Sequence, residues 1–206
     1  DSTLNHSVYH LMYAKELGQT DNMKSTPEFM VQLARDLVVR GARVYIYEQE
    51  NSQNLEEMEG DSVALKKQEF GTFVSAINKK YLMNNGSYQR MILVQEKPNS
   101  KEISNLSVHH FNTSAEGEKL AGSLHEIFKK NWKGKVVIDE DITPLHDDAT
   151  IYFANNLLPS VITVDLNFND SKKKEGKAKE KSIKTDLANL ITSGILKDYS
   201  KTDFSD

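Results

Sequence analysis

The segment Val161-Ile162-Thr163-Val164-Asp165-Leu166-Asn167-Phe168-Asn169-Asp170 starts as a run of β-branched residues, reaches a carboxylate, and breaks into a polar turn. It reads as a buried strand that delivers an acid to its C-terminal lip, where open α/β sheets usually carry chemistry. Met91-Ile92-Leu93-Val94-Gln95 likewise lacks the polar alternation of a half-wet strand, so the sheet must be covered on both faces.

The rest of the chain supplies that cover. Residues 1–7 read as a loose tail, and Val8 to Tyr13 as a short buried strand. Thr26-Pro27-Glu28 opens a helix, with Thr26 as N-cap, Pro27 in the first helical position and an acid in the first turn. Phe29, Met30, Leu33 and Leu37 form its apolar stripe, and Gly41 stands where a left-handed C-cap belongs. Arg43 to Tyr47 is the next strand, which makes a βαβ unit with right-handed crossover the default. A helix is expected from about Ser62 to Asn84, ended by Asn85-Gly86, and a strand from Leu106 to Phe111. Ser114 caps a further helix carrying Leu120, Leu124, Ile127 and Phe128. Strands are expected near Val136–Ile138 and Thr150–Phe153, a lysine-rich loop over residues 171–181, and a closing helix from Ser182 to Lys197. Strands alternating with helices imply one α/β domain over residues 1–206, a three-layer α/β/α sandwich on a mostly parallel sheet.

Composition narrows the function classes. The net charge of −4, from 26 basic and 30 acidic residues, argues against a nucleic-acid binder. No apolar run approaches the ~18–20 residues of a membrane span. The absence of cysteine removes disulfides, thiolate zinc sites and cysteine nucleophiles together.

Several stretches, in order, resemble the zinc-dependent N-acetylmuramoyl-L-alanine amidases, which cut the amide between glycan and stem peptide in peptidoglycan. Pro27 to Arg40 followed by Gly41-Ala42-Arg43-Val44 is similar to the family's first long helix and second strand. Ser75-Ala76-Ile77-Asn78-Lys79 resembles the stretch before its third strand, and Glu118 to Phe128 a later helix. Tyr152 to Asp170 resembles the approach to its catalytic strand, and Leu190-Ile191-Thr192-Ser193-Gly194-Ile195 its closing helix.

The resemblance implies four chemical positions, and this chain departs from the pattern at each. Where the family places a His after the first strand, the loop Tyr13 to Gly18 puts Glu16. Where it places a Glu before the first helix, Asn22 stands here, beside Asp21. Gln95, followed by Glu96, replaces the His that ends the third strand. Asp165 takes the place of the Glu that serves as acid/base. Zinc prefers imidazole nitrogen, and amides are poor ligands for it. Shortening Glu to Asp retracts the carboxylate by about 1.5 Å, and a misplacement of ~1 Å can cost ~100-fold in rate. The expectation is a site without zinc and without any cofactor.

Other conspicuous residues have plainer roles. His6 and His10 are four apart, but in a tail and a strand, where helical metal spacing does not apply. His109 and His110 point to opposite faces of a strand, so at most one faces the groove. His125 and His146 read as solvated, and Tyr45 and Tyr47 as core or sheet surface. Convergence of Glu16, Asp21, Glu96 and Asp165 would suit a hard cation such as Ca²⁺ or Mg²⁺. The Lys172–Lys181 run reads as a solvated loop, with contact to an acidic wall polymer or a partner as the alternative.

The functional expectation is a catalytically degenerate amidase-like domain in the bacterial cell envelope, periplasmic or otherwise exported. Its groove near Glu16, Asn22, Gln95, Glu96 and Asp165 would bind a peptidoglycan fragment or an envelope protein partner. The alternatives are an active zinc amidase, with Asp165 shuttling the proton, and an assembly module with an empty groove.

Overall fold

The computed structural model describes residues 3–15, 26–48, 62–99, 105–132, 136–169 and 176–202. Its strands are β1 (Ser7–Lys15), β2 (Arg43–Tyr47), β3 (Tyr88–Asn99), β4 (Asn105–His110), β5 (Val137–Ile138), β6 (Thr143–Pro144) and β7 (Ser160–Asn169). Its helices are α1 (Glu28–Val39), α2 (Ser62–Met83), α3 (Ala115–Asn131), α4 (Asp148–Asn155) and α5 (Gly176–Tyr199). The strands form one seven-stranded sheet in the order β2-β1-β3-β7-β4-β5, with β6 pairing β4 off that path. All neighbours run parallel except β4 and β7, which pair antiparallel. The expected α/β sandwich on a mostly parallel sheet is the observed fold.

Alternation along the central strands divides the interior into two cores. Tyr9 and Leu11 of β1, Ile92 and Val94 of β3, and Ile162, Val164 and Leu166 of β7 face α1, α3 and α5. Met12, Met91, Leu93 and Val161 face the other way, onto Phe70 and Ile77 of α2 and Phe153 of α4. Side chains of one parity therefore emerge together on one side of the sheet at its C-terminal lip, and those of the other parity on the opposite side.

Local chemistry explains most boundaries. At the end of α1, Ala42 N–H donates to Leu37 O at 3.1 Å and Gly41 N–H to Val38 O at 2.9 Å. This double closure requires a left-handed residue, and Gly41 supplies it with φ 94°. The start of α1 differs from expectation. Pro27 is the cap, with ψ 144°, while the Thr26 hydroxyl donates to the Glu48 carboxylate instead.

Three further expectations are corrected. Thr150–Phe153 is helix, not strand. The Asp147 carboxylate accepts from Ala149 and Thr150 N–H, each at 3.1 Å, and so caps α4. Ala149, Thr150, Phe153 and Ala154 then bury one helical face, with Phe153 stacked on Phe70 at 4.6 Å between ring centroids. Capping and burial together outweigh the strand preference of the β-branched and aromatic residues. The closing helix begins at Gly176, not Ser182. Lys177, Ala178, Lys179 and Glu180 are good helix formers, so the second half of the lysine-rich stretch extends the helix. At the other end, Leu4 is fully buried and its N–H donates to Arg40 O at 2.8 Å, so this part of the expected tail is tied down.

Candidate functional site

Register places Gln95 of β3 opposite Asp165 of β7, and Ser107 of β4 opposite Asp165 on its other side. All three lie on the sheet face covered by α2 and α4, two residues beyond Leu93, whose side chain belongs to that core. Lys97 and His109 share the same parity and join them. The carboxylate of Asp165 is 3% exposed. A buried charge of this kind is stable only with partners. Gln95 Nε2 donates to Oδ1 at 3.2 Å, and Lys97 Nζ donates to Oδ2 at 2.5 Å.

The surrounding groups hold this pair in place. Lys66 of α2 donates from Nζ to Gln95 Oε1 at 3.0 Å, which fixes the amide with its NH₂ toward Asp165. Asp147, at the start of α4, brings Oδ2 to 3.9 Å from Lys97 Nζ. Burial pushes the Asp147 carboxyl up, but hydrogen bonds from Thr150, with Lys66 and Lys97 nearby, hold it below its usual range. His109 sets Nε2 at 3.6 Å from Asp165 Oδ2 and 3.1 Å from Ser107 Oγ, with Nδ1 at 2.6 Å from Thr143 Oγ1. His146 packs edge-on against its ring at 4.9 Å. Burial lowers the pKa of His109; Asp165 opposes the shift, while His146 and Lys97 add to it. The imidazole is thus a neutral hydrogen-bonding partner.

Of the expected groove residues, Gln95 and Asp165 come together, while Glu16, Asn22 and Asp21 lie outside the described residues. Glu96 does not share their face. It points to the α5 side, where it accepts from the Tyr13 hydroxyl and pairs with Lys184. Of the histidine pair, His109 faces the site and His110 the opposite core side. His10 is buried, bonded to the Tyr47 hydroxyl and Gln89 and stacked on Tyr45 and Tyr47, which makes these tyrosines sheet surface. His125 is tied to Asp139 O at 2.8 Å. Lys97, Lys66 and Asp147 were not anticipated. Of these, Lys97 carried a signal, because it lies two residues beyond Gln95 and so on its face.

A catalytic zinc needs three firm ligands and one open position. Among the described residues, no group of three His, Cys, Asp or Glu side chains stands close enough to hold a metal. The donors at the lip are the Gln95 amide, the carboxylates of Asp165 and Asp147 with the Lys97 ammonium between them, and a histidine bound to hydroxyls; they do not fit the ion. Nor is any helix among the described residues long and apolar enough to cross a membrane.

No family model matches the sequence, and no curated protein matches it. Solved structures do match the fold. The CwlD amidase of Clostridioides difficile, in complex with the GerS lipoprotein, aligns with a TM-score of 0.61 at 14% identity, covering 93% of this chain and 99% of that one. The N-acetylmuramyl-L-alanine amidase Ami1 of Mycobacterium smegmatis aligns with a TM-score of 0.60 at 9% identity, over 97% of this chain and 99% of that one. The N-acetylmuramoyl-L-alanine amidase AmiC2 of Nostoc punctiforme follows with 0.55 at 11% identity, over 91% and 95%. Across almost its whole length, the chain has the fold of the N-acetylmuramoyl-L-alanine amidases.

Proposed function

We propose that this chain is a catalytically degenerate amidase-like domain of the cell envelope, binding a peptidoglycan fragment or a protein partner in the groove beside Gln95 and Asp165. Glu16 and Asn22, which the resemblance assigns to the same groove, lie outside the described residues. The observation that carries this reading is the state of Asp165. A general acid/base must lie within reach of the proton it moves, and here the Asp165 side chain is 3% exposed, accepts from Gln95 and is ion-paired with Lys97. Gln95 also puts an amide where the resemblance expects an imidazole. A protein partner is supported by CwlD, an amidase of this fold in complex with a lipoprotein. The cell-wall role of the matched amidases supports an envelope location.

Two measurements test the proposal. Metal analysis of the purified chain is expected to find no bound zinc, and sacculi incubated with chain and added zinc should release no stem peptide. The chain should nevertheless co-sediment with sacculi, or retain an envelope protein in a pull-down. About one zinc per chain, or chelator-sensitive peptide release, would instead make it an active amidase.

A further inference from the structure

We infer that Lys97 is the resident cation of this lip: its ammonium takes the place beside Asp165 that a divalent ion would need. The inference rests on the degenerate reading above and adds what replaced the metal.

The argument begins with Asp165. Its carboxylate is 3% exposed and its Oδ1 is occupied by the Gln95 amide. An amide donor does not neutralise the charge, so Oδ2 requires a cation. Lys97 supplies it from two residues beyond Gln95 on the same strand face, reaching back so that Nζ lies 2.5 Å from Oδ2. The same ammonium faces Asp147 Oδ2 at 3.9 Å, so it sits between two carboxylates, as a bridging ion would. The Lys97 side chain is 24% exposed, against 3% for the Asp165 side chain it neutralises.

A lysine and a metal ion cannot share this position. Two cations within about 3–4 Å of one oxygen repel by several kcal/mol in a partly buried site. An ammonium has three donors and no acceptor, and it presents no open coordination position. The replacement therefore keeps the positive charge the carboxylate needs for folding and removes the Lewis acid. It also makes the cation part of the chain, so the fold at this lip no longer depends on metal supply.

The test compares the full chain with Lys97→Ala, Lys97→Arg and the double variant Lys97→Ala/Asp165→Asn, by thermal unfolding with and without millimolar Mn²⁺. The wild type and Lys97→Arg should be indifferent to Mn²⁺ and to chelator. Lys97→Ala leaves a buried carboxylate unpaired and should lose about 5–10 °C in Tm. Added Mn²⁺ should return about 3 °C or more of that loss. The double variant should regain stability without metal and ignore Mn²⁺. A folded Lys97→Ala that does not respond to Mn²⁺ overturns the assignment of Lys97 alone. Stoichiometric zinc in the wild type overturns both this assignment and the degenerate reading. If Lys97→Ala does not fold, the double variant decides: recovery of a folded chain supports the charge replacement, and no recovery overturns it.

Discussion

Gly194 of α5 lies directly against Leu124 of α3: a Cβ at residue 194 would stand 2.5 Å from Leu124 Cδ2 and 2.9 Å from its Cα. The second distance involves backbone, which cannot turn aside as a side chain can. The close approach allows α3 and α5 to pack together over the sheet. Gly194→Ala should therefore destabilise the chain despite the better helix propensity of alanine. The expected net cost is about 1–2 kcal/mol, or roughly 2–8 °C in Tm, read by thermal denaturation. Gly122→Ala, where nothing lies within 4 Å of an added Cβ, is the control and should not lose stability.

Glu69 gives a pH prediction. Burial pushes its carboxyl up from 4.5 to about 7, while Lys66 pulls in the opposite direction. A raised acid favours its neutral form in the folded state. Its contribution is complete below the unfolded pKa and is lost as pH rises through the folded value. The wild type should thus lose up to about 2–3 kcal/mol between pH 4.5 and 7 through this group. Glu69→Gln, neutral at every pH, should unfold at a higher temperature than wild type at pH 8 and close to it at pH 4.5. Equal differences at both pH values would remove the explanation.

Asp147 behaves in the opposite sense. Its pKa is depressed, so the stability it supplies is present above the unfolded value of 3.8 and lost as pH falls through the folded one. Asp147→Ala removes the cap of α4 and should cost about 1–2 kcal/mol at neutral pH. The difference from wild type should shrink in acid, as chemical denaturation at both pH values would reveal.

Glu96 tests the division between the two faces of the lip. Its partners are Tyr13 and Lys184, whose side chain is 11% exposed. Lys184→Met leaves a buried carboxylate with only the Tyr13 hydroxyl and no cation, and should destabilise by about 2–4 kcal/mol. Adding Glu96→Gln should recover much of that loss. Because the pair faces α5, the double variant should bind sacculi or the envelope partner as wild type does. Loss of binding with an intact fold would return Glu96 to the groove.

Periodicity made the architecture legible. The apolar run Met91–Val94 and the β-branched run Val161–Val164 required a sheet covered on both faces, and helical stripes such as Phe29, Met30, Leu33 and Leu37 supplied the cover. The resemblance put Gln95 and Asp165 near one groove, but the strand order that sets them side by side was not legible, because no local pattern encodes which strands pair. Lys97 was hidden because β3 was expected to stop near Gln95, whereas it continues to Asn99. Asp147 and Lys66 reach the site from α4 and α2, and no local pattern encodes that meeting. Thr150–Phe153 misled because its residue types favour a strand, while the deciding cap lies outside the segment.

The balance of charge at the lip bears on how anything would be captured there. Among the described residues around Asp165, the ammonium groups of Lys66 and Lys97 stand against the carboxylates of Asp147 and Asp165. Opposed in this way, they cancel within a few ångströms and send little field into solvent. Long-range steering is then weak, and recognition falls to shape and hydrogen bonds made on contact. These four groups should therefore add little to the salt dependence of association, which binding measured at low and high ionic strength would show.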